Sequence, residues 1–129
     1  MNEHGLPFNV VEFVHKSIPS LAHLEILLLL RTEPTRTWTA EQVNAELRTS
    51  IHSAQMGLKD LYAQALLVTE NGAYRYAPMD FSMGAAVSEL AGLYATHRVR
   101  VIESVFSRPS HAIRDFAEAF KLKKGDRNG

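Results

Sequence analysis

The sequence predicts a mostly α-helical domain that carries one small β-hairpin. Three observations lead there. Between Leu47 and Tyr76, the residues Ile51, Ala54, Leu58 and Leu61 recur at steps of three and four, the buried stripe of one amphipathic helix. Leu66 and Leu67 leave that helix, and two strand-like runs, Val68-Thr69-Glu70 and Ala73-Tyr74-Arg75-Tyr76, then flank Asn71-Gly72. Asn-Gly between such runs signals a tight hairpin, because a type I′ turn needs positive φ at both central residues. Helical periodicity also occupies the stretches before and after this unit, with proline, glycine and polar clusters between them.

Taken in order, Met1 to Pro7 reads as a loose end. Asn9 followed by Glu12 has the spacing of a capping box, and Val10, Val11, Val14 and Ile18 form one side of a short helix that Pro19 closes. Ser20 opens the next helix, with Leu21, Leu24, Leu27, Leu28 and Leu30 toward the core and Glu25 and Arg31 outside. Glu33-Pro34-Thr35 stops it. Trp38 sits between two threonines, Thr37 and Thr39. Thr39 and Gln42 make a second capping box, and Val43 and Leu47 anchor the short helix behind it. After a turn at Thr49-Ser50, Ser50 caps the long helix. In the hairpin, a two-residue loop pairs Thr69 with Tyr74 and Leu67 with Tyr76 on one face. Arg75 falls on the other, outward face.

Beyond Pro78, Asp80 or Ser82 can cap a new helix. Val87, Leu90, Ala91, Tyr94, Val101, Ile102, Val105 and Phe106 follow one helical stripe. An unbroken helix from Phe81 to Ser107 would be about 40 Å long at about 1.5 Å per residue. Such a rod outruns a small domain, and its stripe needs a second surface, most simply another copy of the chain. Pro109 interrupts the run. A last helix from Ser110 would carry Ile113, Phe116, Ala117 and Phe120 on one face, with Lys121, Lys123 and Lys124 near its end and Gly125 beyond. The organisation expected is an N-terminal short helix or arm over residues 1–19, a compact unit over 20–78 and a helical partner-binding region over 79–129.

The whole composition sets limits. The 129 residues suffice for one domain with a sizeable core, and 46% apolar against 22% charged residues marks a folded chain, not a disordered one. There are no cysteines, which excludes disulfides, zinc-thiolate sites and cysteine nucleophiles. The longest aliphatic run, Ile26 to Leu30, is far short of a membrane span. No basic start followed by an apolar stretch marks a signal peptide, so a cytoplasmic location is expected. The net charge is zero, yet residues 1–78 carry −2 and residues 79–129 carry +2. The six histidines show neither i, i+4 nor H-E-x-x-H spacing, and no carboxylate is obviously placed to orient one. With no Gly-rich phosphate loop, no G-x-S-x-G and no paired carboxylates, an enzyme is not expected, nor any cofactor or metal.

A helix, a short helix, a turn, a long helix and a hairpin, in that order, resemble a winged helix-turn-helix domain. The pattern Leu47-x-x-Ser50-x-x-Ser53-Ala54-x-x-x-Leu58-x-x-Leu61-x-x-x-Ala65-Leu66-Leu67 is similar to the recognition helix of bacterial transcription regulators of the MarR-like and PadR-like kind. The resemblance covers Ser20 to Pro78. Two positions depart from it, Thr49, where an apolar residue is usual, and Ala65, where glycine is. Ala65 would have to adopt a left-handed conformation, at about 1 kcal/mol, or the helix must end differently.

The resemblance implies a homodimeric regulator of transcription that binds double-stranded DNA. His52, Ser53, Gln55, Met56 and Lys59 would face the major groove, with Ser50 at the head of the helix. Arg48 and Arg75 would meet phosphates. The slightly acidic first half opposes this, since a DNA binder usually shows a basic footprint. Leu90, Tyr94, Val101, Ile102, Val105, Phe116 and Phe120 would form the dimer or partner interface. The rival expectation is a protein-interaction module that keeps the fold without sequence-specific DNA binding. A membrane-surface role for Ile113 to Lys124 ranks below both, because that segment is short and carries Asp115 and Glu118.

Overall fold

The hairpin and the helix before it are set by local chemistry. In the computed structural model, which describes residues 5–107, Ser50 accepts the Ser53 N–H at 3.0 Å and starts helix α4, Ile51–Ala63. Ala65 then takes φ 64°, the left-handed conformation that the Leu-Leu exit demands without a glycine. Strand β1, Leu67–Glu70, pairs antiparallel with β2, Ala73–Tyr76, in the register Leu67↔Tyr76 and Thr69↔Tyr74. Asn71 and Gly72 both have positive φ, 51° and 81°, as a primed turn requires. Tyr74 and Tyr76 pack against the core. Tyr62 of α4 meets the Tyr74 ring edge-on with centroids 6.1 Å apart, which ties helix to hairpin.

Three helices precede this unit. Helix α1 spans Phe8–Ser17, α2 spans Leu21–Thr32 and α3 spans Ala40–Leu47. Ser20 caps α2 through the His23 N–H, and Thr39 and Gln42 form the full capping box of α3. The box expected at Asn9 is not made. Pro7 is the N-cap of α1, and Asn9 lies inside the helix, where its amide donates to Glu89 at 2.9 Å. No side chain caps α1; the Pro7 carbonyl accepts the Val10 and Val11 N–H groups at 3.1 Å, and the proline ring fixes φ at the entry to the helix. Nor is the N-terminal stretch loose throughout, since Leu6 is fully buried. Trp38 exchanges two backbone hydrogen bonds with Tyr74, at 2.7 and 2.9 Å, and so lies as a bridge beside β2.

One close-packed core joins all of these elements. Leu24, Ile26, Leu27 and Leu30 of α2 are buried at its centre. Ile26 was not on the expected inner face. It is the residue against which α4 closes: a Cβ added to Gly57 would stand 2.4 Å from Ile26 Cδ1. Ile51, expected inside, is 37% exposed at the head of α4.

The expected rod is broken. Asp80 caps helix α5, Phe81–Thr96, through the Met83 N–H, and His97 leaves helical geometry at φ −131°, ψ 48° before helix α6, Arg98–Phe106. The bend lets both halves of the apolar stripe reach α1. Val87 and Leu90 of α5, Val101 and Val105 of α6, and Val10 and Val14 of α1 all belong to the core. The second surface that the stripe needs is therefore supplied by the chain's own first helix. Among the described residues the fold is mostly helical, with six helices and one two-stranded antiparallel sheet. No single helix among them is long and apolar enough to cross a membrane.

Candidate nucleic-acid interface

The outer face of α4 is polar and open. His52, Ser53, Gln55, Met56 and Lys59 are all exposed, while Ala54, Gly57, Leu58 and Leu61 hold the inner face. The helical period alone puts these two sets on opposite sides. Ser50, also exposed, is occupied as the cap.

Arg48 ends α3 in the left-handed conformation, φ 55°, with its N–H bonded to Asn44 O at 2.7 Å. This residue turns the chain sharply, so that only Arg48, Thr49 and Ser50 separate α3 from α4. The side chain of Arg48 is exposed beside the head of α4. On the hairpin, Arg75 points away from the core as expected, but it is not free. Its guanidinium reaches Glu70 Oε2 through both Nε and Nη2 at 3.1 Å. Cross-strand proximity of β1 and β2 makes that pair. Among the described residues, Arg48 and Lys59 have no such acidic partner.

Asp60 also lies on α4, and here the structure corrects the expectation that no carboxylate orients a histidine. Asp60 Oδ2 is 2.8 Å from His23 Nε2, and His23 Nδ1 is 2.7 Å from Ser20 Oγ. This chain of two bonds ties the head of α2 to α4. Ser20 is at the same time the helix cap, accepting the His23 N–H at 3.3 Å, which points to a structural brace. Ser-x-x-His is visible as a capping spacing, but nothing in the pattern links it to a carboxylate thirty-seven positions on. The brace holds the Asp60 charge toward α2, away from the run of His52 to Lys59. Among the described residues no three His, Cys, Asp or Glu side chains gather as a metal site.

The expected interface residues divide. Leu90 and Val101 are fully buried within the chain and Val105 is 2% exposed, so none of the three is available to a second copy. The reason is the bend at His97, which turns them onto α1. Tyr94 is half-buried beneath the Arg98 guanidinium, 4.6 Å from its ring centroid, and Ile102 is half-buried on the side of α6 that also shows Val99 and Phe106. Phe116 and Phe120 lie outside the described residues.

A concavity on another surface escaped the sequence reading. It lies where the end of α2, β2 and the start of α5 meet, and Arg31, Tyr76 and Ser88 line it. Arg31 Nη2 donates to Ser88 Oγ at 3.1 Å. Burial raises the Tyr76 pKa above its ordinary value of 10.0, an effect that the charge and hydrogen bond of Arg31 partly offset. No protein family, curated protein or solved structure matches the chain.

Proposed function

We propose that the chain is a winged helix-turn-helix regulator of transcription that binds double-stranded DNA as a homodimer. The observation that carries this reading is the solvent-open polar face of α4 beside a projecting two-residue hairpin turn. In that reading α4 enters the major groove, where Gln55 suits an adenine edge and Ser53 and His52 reach base edges or phosphates. Arg48 and Lys59 meet the backbone, and the turn at Asn71-Gly72 touches the flanking backbone or minor groove. Two copies would meet through what the fold leaves exposed, above all the Val99, Ile102 and Phe106 side of α6.

The test is duplex binding by fluorescence anisotropy in low salt, with Lys59→Ala plus Arg75→Ala against the unaltered chain. Phosphate contacts are indifferent to sequence, so the double variant weakens binding to every duplex. Unchanged binding defeats the assignment. The Glu70–Arg75 pair favours the rival reading, a protein-interaction module with this fold, because it removes a cation from the hairpin. Weak, salt-insensitive binding to random duplexes together with stable capture of one protein partner would decide for the rival.

A further inference from the structure

The groove between α2, β2 and α5 has a volume of about 920 Å³, which falls within the roughly 300–1,000 Å³ range of small-molecule sites. Two unlike walls meet in it. One is apolar, built from Pro34, Pro78, Met79 and Phe81. Met79 is 78% exposed and Phe81 91%, so apolar area stands in water at the mouth of the groove. A proline on either side stiffens this wall, because the ring removes backbone freedom. The two hydrogen bonds Ala77 N–H to Leu66 O and Met79 N–H to Ala65 O, at 3.1 and 2.9 Å, hold the segment in place.

The other wall is polar and holds one cation. Arg31 is half-buried, and its partners, the Ser88 hydroxyl and the Tyr76 phenol, are both neutral. A guanidinium presents five N–H donors in a planar fork, and these partners leave most of them unused. No carboxylate pairs with Arg31 among the described residues. Asp80 also lines the groove, but its Oδ1 is turned to the first turn of α5, where it accepts the Met83 N–H at 2.8 Å. The Tyr76 phenol oxygen accepts from Arg31, so its own O–H is left as a donor.

We infer that this groove binds a small monocarboxylate with an apolar body. The carboxylate takes the planar fork of Arg31, a pairing favoured by both charge and geometry. The apolar body lies over Met79 and Phe81 and covers them. A dianion such as phosphate fits less well, since one cation faces it and the Asp80 carboxylate stands at the rim. The inference does not depend on the DNA-binding reading, because it concerns a different surface and a different ligand.

Three probes separate the two requirements: octanoate, its uncharged twin octanamide, and acetate, which has the charge without the body. Titration of the full chain is followed by amide NMR. Octanoate gives saturable shifts that centre on Arg31, Tyr76, Phe81 and Ser88. Octanamide and acetate each bind roughly tenfold or more weakly, as expected for the loss of a charge-assisted bond or of the buried apolar area. In Arg31→Met, which keeps an unbranched apolar stem and removes the guanidinium, octanoate falls to the level of octanamide. Should that variant fail to fold, the ratio of octanoate to octanamide on the unaltered chain still decides. Equal binding of the two, absence of a saturable response, or shifts centred on Val99 and Phe106 would each overturn the inference.

Discussion

Ala65 stands at φ 64° and Arg48 at φ 55°, two side-chain-bearing residues in a region that glycine enters without steric cost. Each conformation costs about 1 kcal/mol, and each is required, one to leave α4 and one to turn from α3 into α4. Their replacements should therefore stabilise. Ala65→Gly raises the unfolding free energy by about 0–0.6 kcal/mol, the remainder being lost to the freer unfolded chain. Arg48→Gly gains a similar amount and at the same time loses a cation from the proposed reading face. Urea denaturation and duplex binding, measured side by side, separate the two effects. Ala65→Gly leaves affinity unchanged and Arg48→Gly lowers it. If Arg48→Gly is destabilising, its side chain holds the turn by contacts that outweigh the strain. Tyr76 supplies the pH dependence at this scale. Its pKa is raised in the folded protein, so folding favours the neutral phenol. The contribution is fully present below the unfolded value of about 10 and is lost as pH climbs through the higher folded value. Stability should therefore decline with rising alkalinity above that point, and Tyr76→Phe should flatten the decline in denaturation series at increasing pH.

At the scale of elements, the bend at His97 changes what the apolar stripe of α5 and α6 is for. Val105 lies in the shared core with Val10 and Val14 of α1. Val105→Ala removes two methyl-sized groups from a filled site and should cost about 2 kcal/mol. The cost will not vary with protein concentration, because the partner helix belongs to the same chain. The difference between parent and variant in urea midpoint, taken at two protein concentrations a hundredfold apart, checks this, and a difference that changes with concentration would return the stripe to a second copy. The same comparison shows what was legible in the sequence. The caps at Ser20, Thr39, Ser50 and Asp80 and the hairpin around Asn71-Gly72 were legible because their chemistry closes within a few residues. The periodicity of Val87 through Val105 was legible too, but a stripe states only that something covers it. That α1 does so depends on a break without proline or glycine at His97, and on packing between residues some ninety positions apart. Ile26 was missed for a related reason. It breaks the one-sided pattern of α2 because that helix is enclosed from more than one direction, by α4 as well as by the hairpin. Of the candidate site, the exposed set on α4 followed from helical period, whereas the pairing of Arg75 with Glu70 and of Asp60 with His23 required coordinates.

The molecule as a whole is neutral, and its hairpin-bearing half is slightly acidic. For a protein proposed to grip phosphates, the arrangement of charge then matters more than the sum. Asp60 is drawn toward α2 by His23, which leaves Lys59 as the charged group on the open face of α4. Arg48 stands at the head of that helix. Arg75 is the third cation, and Glu70 holds it. Both partners of that pair are partly exposed, so the bond itself contributes little to stability, on the order of 0–1 kcal/mol. Its larger effect would be on the potential that a phosphate meets at the hairpin. Glu70→Gln keeps the shape of the side chain and releases the guanidinium. If the hairpin touches the DNA backbone, this substitution tightens binding to all duplexes and leaves thermal stability nearly unchanged. It also adds one phosphate contact per copy, so the slope of log affinity against log salt steepens by about 0.9 for each copy bound. Anisotropy titrations at three or four salt concentrations give that slope directly. A variant with the same slope as the parent would mean that the hairpin stays clear of the backbone, and the interface would then shrink to α4 and Arg48, too few cations to hold a duplex at physiological salt.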